Sequence, residues 1–357
     1  MILSYRTRRN LRRTGKFLVI AAVVAAIVWV LWMIWVARYM IYDRNLGAQL
    51  DFNLPPIPEG NLAIPPSDSP FLDLIVDEKE EPVTPNEPTI DAVKSGIQGY
   101  YLTDQDLTAD NLPNLMTQLE ALAPGTAVLM DVKAPKGWFY YTTDFDNRYE
   151  NQAPARPITA QQLDELIRHL DEQGLYLIAR LPAFRDYWFG RYNVASGCGL
   201  AEKGKSGALW MDDSGCYWLD PTHKDTQFYL MNITRELQGM GFDEVVYYDF
   251  RFPNTDKIIF DGDKEQAIKN AAAELALACA TEQLCVSFEI SEPAFPLPQG
   301  NCRVYLRNVA AKDTETIAQQ VSTDNAALHV LFYTTASDAS DTRFEKYCVL
   351  RPLESAH

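Results

Sequence analysis

The chain has 357 residues, which is enough for one large domain with accessory segments. Its charge is unevenly distributed: residues 1–42 contain seven basic and no acidic residues, whereas the remainder contains 25 basic and 48 acidic residues, a formal charge of −23. An acidic domain of this kind disfavours binding to nucleic acid or to anionic membrane surfaces. It suits neutral or cationic ligands, so we predict no nucleic-acid partner.

The first structural signal is an apolar segment from Phe17 to Tyr42, interrupted only by Arg38. It is longer than the ~20 residues that a membrane-spanning helix needs. Six basic residues precede it, so the positive-inside rule places residues 1–16 in the cytoplasm and the rest of the chain outside. A cleaved signal peptide is the alternative, but its apolar part is usually only ~7–15 residues long. We therefore predict a transmembrane anchor at 17–42 whose partner is the lipid bilayer.

Residues 43–92 form the predicted linker. The stretch 44–92 contains nine prolines among many acidic residues, in segments such as "LPPIPEG" and "DEKEEPVTPNEP". This composition favours an extended spacer over a packed core. The folded domain is predicted to comprise residues 93–357.

From residue 93 onward, strand-like runs alternate with helical patterns. The strand-like runs are 96–103, 126–134, 175–184, 242–252, 284–291, 302–309, 327–335 and, at the end, "KYCVLRP". Amphipathic segments such as "TAQQLDELIRHLDEQG" separate the early strands. Eight such repeats predict an α/β fold of the (β/α)8 TIM-barrel type. A doubly wound open sheet is the alternative, but no Gly-rich phosphate loop follows the first strand. Short gaps between the last strands predict a barrel that is irregular or incomplete in its C-terminal third.

The cysteines and histidines argue against a metal centre, and we predict no cofactor. Six cysteines occur without a C-x-x-C pair, and the four histidines are scattered. Outside the membrane an even number of cysteines permits disulfides. Cys198 and Cys216 bracket a Gly-rich segment and are the predicted disulfide; buried thiols are the alternative.

Charged residues follow several predicted strands at their carboxyl ends. Asp131 and Lys133 end the second strand, and Glu289 ends the fifth. The fourth strand ends in "DFRFP", which contains Asp249 and Arg251. In a TIM barrel the active site lies at the carboxyl ends of the strands, so these residues predict a site there. Structural ion pairs within the barrel are the alternative.

Three blocks resemble a family of bacterial glycoside hydrolase-like domains with a predicted TIM barrel: "GLYLIARLPAF", "DDSGCYWLDPT" and "GFDEVVYYDFRFP". The resemblance implies binding or hydrolysis of a polysaccharide or oligosaccharide. Asp131 stands at the Asp of the family's D-x-K strand, Arg180 in its I-A-R strand and Asp220 in its W-x-D-P turn. Asp249 and Arg251 stand in its D-x-x-R-F-P strand end, here one residue shorter. The family's sixth-strand motif is absent from "RVYLRNVAAKD".

Glycoside cleavage requires two carboxyl groups, one ionised and one protonated. Arg251 favours an ionised Asp249, which is therefore the predicted nucleophile or transition-state stabiliser. Glu289 lies between Phe288 and Ile290, and we predict that this apolar setting keeps it protonated as the acid. Adjacent strands lie ~4.8 Å apart, which is compatible with the ~5–5.5 Å carboxyl separation of retaining enzymes.

Sugar sites also need aromatic platforms, and Trp138, Trp188 and Trp210 lie in predicted rim loops where they can serve as such. The alternative is that these rings pack against the barrel. The predicted substrate-binding residues are thus Asp131, Lys133, Arg180, Arg251, Trp138, Trp188, Trp210 and Asp220. Two functions follow from these observations. The first is a membrane-anchored extracellular glycoside hydrolase that acts on envelope polysaccharide. The second is a catalytically inactive barrel that binds glycan or scaffolds an envelope complex.

Overall fold

The computed structural model describes residues 40–43, 47–50, 96–103, 106–145, 158–193, 196–291, 295, 297–322 and 325–353. Residues 40–43 and 47–50 form an antiparallel pair in which Met40 lies opposite Leu50. Residues 40–42 belong to the predicted membrane span, so at its very end the structure has a strand and not a helix. The rest of that span lies outside the described residues. Within the described ranges, no helix has the length and apolar character required to cross a bilayer.

The main body is a closed barrel of eight parallel strands, which confirms the predicted (β/α)8 architecture. The strands run in sequence order around the barrel, and β8 closes onto β1 with Val349 opposite Gln98. Their bounds are β1 (Gln98–Tyr101), β2 (Ala127–Asp131), β3 (Tyr176–Pro182), β4 (Glu244–Tyr248), β5 (Cys285–Ile290), β6 (Cys302–Leu306), β7 (Val330–Tyr333) and β8 (Cys348–Pro352).

Helices connect most of the strands, and local sequence explains where they begin. The helices of the described ranges are α1 (Leu112–Glu120), α2 (Ala160–Glu172), α3 (Tyr187–Tyr192), α4 (Lys224–Gly239), α5 (Lys264–Cys279), α6 (Thr314–Val321) and α7 (Ala326–His329). Thr159 and Gln162 form a capping box that starts α2. Asp263 caps α5 by accepting the backbone N–H groups of Glu265 and Gln266.

The C-terminal third of the barrel is irregular, as predicted. No helix is found between β5 and β6 in the described part of that connection, and β7 is joined to β8 through a 3-10 turn at Thr342–Lys346. The barrel is nevertheless complete, because β7 and β8 pair along three residues each. Irregular connections therefore do not prevent closure of the sheet.

The alternation of side chains along the strands determines which residues face the barrel interior. An apolar layer from several strands fills the middle, with Leu129, Ile178, Val246, Leu331 and Leu350 among its members. Because successive side chains alternate, Arg180 faces the same side as Ile178, two residues earlier. Glu289 lies opposite Tyr305, another interior residue. Both charged side chains therefore point into the barrel at its carboxyl end.

Candidate functional site

A cavity of about 1270 Å³ lies at the carboxyl ends of β4, β5 and β6. Residues 248–255, which follow β4, form one wall, and Glu289, Ile290, Ser291 and Phe295 form another. The first turn of α5 contributes Lys264 and Glu265, and Arg307 and Asn308 come from the end of β6. The position matches the predicted rim. Asp249, Arg251 and Glu289 are the predicted site residues that line this cavity.

Asp249 has a left-handed backbone conformation. β4 ends at Tyr248, and Asp249 follows with φ +51°, in the left-handed region that non-glycine residues seldom occupy. Among the described residues, Asn308 and Asn325 are the other non-glycine residues with positive φ. Asp249 and Asn308 both line the cavity. Left-handed backbone is frequent at ligand-binding and catalytic sites, so these two residues make the cavity the candidate site.

Two guanidinium groups flank the carboxylate of Asp249. Arg251 Nη2 lies 3.4 Å from Oδ1, which confirms the predicted contact, although a turn and not strand alternation produces it. Arg185 Nη1, from the loop after β3, lies 3.7 Å from Oδ2. Arg185 is itself held by Asp212, whose Oδ2 accepts its Nε at 2.6 Å. The Asp249 carboxylate is therefore held between Arg251 of its own loop and Arg185 of the loop after β3.

Glu289 accepts four hydrogen bonds, which saturate both of its oxygens. Arg180 donates to Oε2 at 2.6 Å and to Oε1 at 3.0 Å. Arg307 Nε donates to Oε1 at 2.9 Å, and the Tyr333 hydroxyl donates to Oε2 at 3.1 Å. Burial raises the pKa of Glu289, but Arg180 and then Arg307 outweigh it and lower that pKa below its ordinary value. The prediction that Glu289 is a protonated acid is therefore wrong.

Asp131 and Arg180 belong to the same charged network. They lie opposite each other on β2 and β3, and Arg180 Nη1 donates to Asp131 Oδ1 at 2.8 Å. The guanidinium of Arg180 also stacks on the ring of Tyr248, 4.1 Å from its centroid. Burial alone would lower the pKa of Arg180, but Glu289 and Asp131 together raise it. Neither Asp131 nor Arg180 lines this cavity, although Arg180 holds Glu289, which does.

Lys133 and Asp220, both predicted to bind substrate, have structural roles. Lys133 is 1% exposed, and its Nζ lies 2.6 Å from Asp186 Oδ2, to which the Tyr229 hydroxyl also donates at 2.9 Å. A ligand cannot reach it, so that prediction is wrong. Asp220 Oδ1 accepts the backbone N–H and the hydroxyl of Thr222 at 2.8 and 2.7 Å. It closes a local turn and does not line the cavity.

The predicted tryptophan platforms lie away from the cavity. Trp188 is buried, with ring centroids 4.8 Å from Tyr187 and 6.0 Å from Tyr192. Trp138 is half-buried, and Trp210 packs against the hydrophobic core. The packing alternative therefore describes them better. The aromatic residues that line the cavity are instead Tyr248, Phe250, Phe252 and Phe295.

The predicted disulfide between Cys198 and Cys216 is not formed. All six cysteines lie within the described ranges and are buried thiols. Antiparallel pairing places Gly199 opposite Leu219, so the backbone carbonyl of Cys198 accepts the N–H of Asp220. Cys216 lies four residues before Asp220 on an extended segment, which places it roughly 13 Å from Asp220. A disulfide requires Cα atoms within about 7 Å, so this register excludes it.

Sequence reasoning missed Arg307 and Tyr333, which complete the environment of Glu289. The signal was present in the alternation of β6, because Arg303, Tyr305 and Arg307 follow one another at intervals of two residues. Tyr305 lies opposite Glu289 on the neighbouring strand. A residue two positions further along therefore belongs beside the Glu289 carboxylate at the rim.

The closed parallel barrel and its charged carboxyl-end rim are typical of (β/α)8 enzymes and their relatives. Residues 99–330 match the model of a family described as "Putative glycosyl hydrolase domain". Because the match covers more than half of the chain, the chain belongs to this glycosyl hydrolase-like family. No curated protein matches the chain in sequence.

Solved structures with a similar fold include a hypothetical protein from Ruminiclostridium thermocellum. It is 23% identical, with a TM-score of 0.43, and the match covers 53% of this chain and 96% of that one. The glycoside hydrolase domain of PelA from Pseudomonas aeruginosa is 12% identical, with a TM-score of 0.42 over 73% and 96%. An alpha-galactosidase from Thermus thermophilus is 14% identical, with a TM-score of 0.39 over 55% and 38%. At these scores the assignment rests on the family match alone.

Proposed function

We propose that this protein is a membrane-anchored barrel that binds an envelope or extracellular polysaccharide outside the cell without cleaving it. The glycosyl hydrolase-like family supports a carbohydrate ligand. The cavity at the carboxyl ends of the strands supplies aromatic walls and several charged donors, which are the groups that sugar-binding sites use. The apolar segment at 17–42 and the basic residues before it support the anchor.

The ionisation state of Glu289 favours binding over cleavage. A glycosidase needs a carboxylic acid that gives a proton to the leaving oxygen. Glu289 is ionised and already accepts hydrogen bonds from Arg180, Arg307 and Tyr333. Of the other carboxyl groups that line the cavity, Asp249 is flanked by two guanidinium groups, and Glu265 lies on the exposed first turn of α5. Among the described residues that line the cavity, no carboxyl group is both buried and without cationic partners.

Hydrolysis is the second candidate, and the backbone of Asp249 favours it. A left-handed aspartate at the end of β4 places a carboxylate inside the cavity, as a nucleophile would require. In that case Asp249 would be the nucleophile.

A panel of polysaccharides incubated with the purified full-length chain separates the two functions. Binding is measured by retardation in affinity electrophoresis, and cleavage by the release of reducing ends. We expect retardation by at least one polysaccharide with no reducing ends released. Reducing ends released by the unaltered chain but not by Asp249→Asn would establish hydrolysis instead. Neither retardation nor release across the panel would refute both functions.

The anchor is tested separately on intact cells. Protease added outside should remove the barrel and leave a short protected fragment that contains the basic N-terminus. A mature chain that begins after residue 42 would refute the anchor but not the binding function.

A further inference from the structure

Arg307 is held in one orientation at the wall of the cavity. Its Nε donates to Glu289 Oε1 at 2.9 Å. The plane of its guanidinium covers the ring of Tyr333, 3.7 Å from the centroid, with the ring of Tyr101 at 5.8 Å. Its side chain remains 35% exposed, and it lines the cavity. A guanidinium fixed at Nε and on one face has little rotational freedom left to lose when it binds a ligand.

The outer edge of this guanidinium is available to a ligand. An arginine has five N–H donors, of which four are on the two Nη atoms. In the part of the chain that the structure describes, the Nε donor of Arg307 is the one that has a protein acceptor. The two Nη groups therefore present a fork of donors in the cavity. That fork matches the two oxygens of a carboxylate, which it can bind through two parallel hydrogen bonds.

Other cavity groups supply both donors and acceptors. Lys264 lies on the first turn of α5, with its Nζ 5.6 Å from the ring of Phe252, and is exposed to solvent. Glu289, by contrast, has no acceptor position left, because Arg180, Arg307 and Tyr333 occupy both of its oxygens. A neutral sugar hydroxyl would need acceptors as well as donors, whereas a carboxylate needs donors only. Asp249 and Glu265 also line the cavity as acceptors, so the donor-only position is local to the Arg307 fork, which suits the carboxylate of an acidic sugar.

We propose that Arg307 is the specificity-determining residue of the cavity and binds the carboxylate of a uronic acid residue in a polysaccharide. This inference rests on the proposed glycan-binding function and narrows it to a class of ligand.

The strongly acidic composition of the domain does not oppose this assignment locally. The net charge of −23 for residues 43–357 acts over long distances, and salt screens it beyond ~8 Å under physiological conditions. At contact distance the Arg307 fork dominates. The sequence-based expectation of neutral or cationic ligands follows from the average charge, which does not describe the cavity.

Binding of paired oligosaccharides to the full-length chain tests the proposal. The probes are oligomers of galacturonate, glucuronate and mannuronate, each with its counterpart in which the carboxylates have been reduced to alcohols. In at least one pair we expect the acidic form to bind about tenfold or more tightly than the reduced form. Arg307→Gln should abolish that preference, and Arg307→Lys, which keeps the charge but loses the fork, should retain only part of it.

Lys312→Gln is the matched control, because it removes one positive charge from an exposed residue that does not line the cavity. It should leave the preference unchanged. Equal loss in Lys312→Gln and Arg307→Gln would assign the effect to net charge and refute the inference. A variant that retains the thermal unfolding midpoint of the unaltered chain excludes misfolding as the cause.

Failure of the inference and failure of the proposed function give different results. If no acidic oligomer binds better than its reduced partner, while a neutral polysaccharide still binds, the role of Arg307 is refuted and glycan binding stands. If no saccharide of any kind binds, the proposed function itself is refuted.

Discussion

The ion pair between Arg303 and Glu244 gives the sharpest test of how the barrel is held together. Both side chains are fully buried at the amino-terminal end of the barrel, and Arg303 Nη1 lies 2.8 Å from Glu244 Oε2. The same carboxylate accepts hydrogen bonds from the hydroxyls of Tyr176 and Ser287. Arg303→Met would keep most of the side-chain volume and remove the cation, leaving the Glu244 carboxylate buried without its ionic partner.

Breaking a buried ion pair on one side costs about 3–5 kcal/mol, because the remaining charge is desolvated and uncompensated. In a domain of this size, each kcal/mol corresponds to a shift of about 2–4 °C in the unfolding midpoint. We therefore expect Arg303→Met to lower the midpoint by roughly 10 °C. Adding Glu244→Gln should recover part of the loss, because a neutral amide replaces the unpaired charge.

Urea unfolding of the full-length chain, followed by tryptophan fluorescence, measures the free energies for the two single variants and the double variant. The double-mutant cycle then gives the coupling between the two side chains. Arg168→Met is the control, because Arg168 and Glu172 form an ion pair in which both side chains are mostly exposed. Such a pair contributes about 0.5 kcal/mol or less. A cost for Arg303→Met no larger than that of the control would refute the inferred role of the buried pair.

Three further outcomes are expected. The folded chain lowers the pKa of Glu289 from its usual 4.5. Its ionised form therefore stabilises the barrel above pH 4.5, and this stabilisation is lost as the pH falls through the folded pKa. Glu289→Gln should flatten this acid decline in urea titrations, and an unchanged slope would contradict the prediction. A Cβ at Gly99 would overlap the carbonyl oxygen of Ala127 in β2, so Gly99→Ala should lower the free energy of unfolding by about 1–3 kcal/mol. Gly239 has open space around it, so the control Gly239→Ala should be neutral or mildly stabilising. Cys198 and Cys216 are both buried, and burial raises the pKa of Cys198 to about 12. Both thiols should therefore resist alkylation in the native chain and react in the unfolded, unreduced chain. A peptide linked through the two would show instead that they form a disulfide.

The strands were predictable from the sequence because their apolar runs are buried on both faces, as in parallel sheets. The ends of the early helices were also predictable: α2 ends just before Gly174, which adopts φ +77°. The closure of the barrel was not predictable from the last third. There the helices are short or replaced by turns, and only pairing between distant strands, such as β8 with β1, completes the sheet.

The errors at the site have a common physical origin. Sequence reasoning took the environment of Glu289 from its neighbours Phe288 and Ile290, but on a strand those side chains point to the opposite face. Phe288 indeed packs in the core outside the barrel interior. The residues that control the charge of Glu289 come from other strands, and Arg180 is 109 positions away along the chain.

The prediction for Lys133 failed for a related reason. Its pairing with Asp131 assumed that strand alternation continued beyond the end of β2. The strand ends at Asp131, and Lys133 instead forms a β-bridge with Phe139 in the following loop. The turn directs the lysine towards Asp186 and α4. Alternation therefore predicts a common face only as far as the strand extends.

The charged network occupies the carboxyl end of the barrel interior, next to the cavity. In a barrel of eight strands, side chains fill the interior and leave no channel. Here the uppermost interior positions hold Asp131, Arg180 and Glu289, joined by hydrogen bonds of 2.6 to 3.0 Å. Opening this network for a substrate would expose buried charges to an incompletely matched ligand, which is costly. Glu289 lies where this network meets the cavity, whose other lining residues, Asp249 and Arg307 among them, come from the segments after β4, β5 and β6 and from α5. Any ligand in the cavity would therefore meet Glu289 as a carboxylate already held by Arg180, Arg307 and Tyr333.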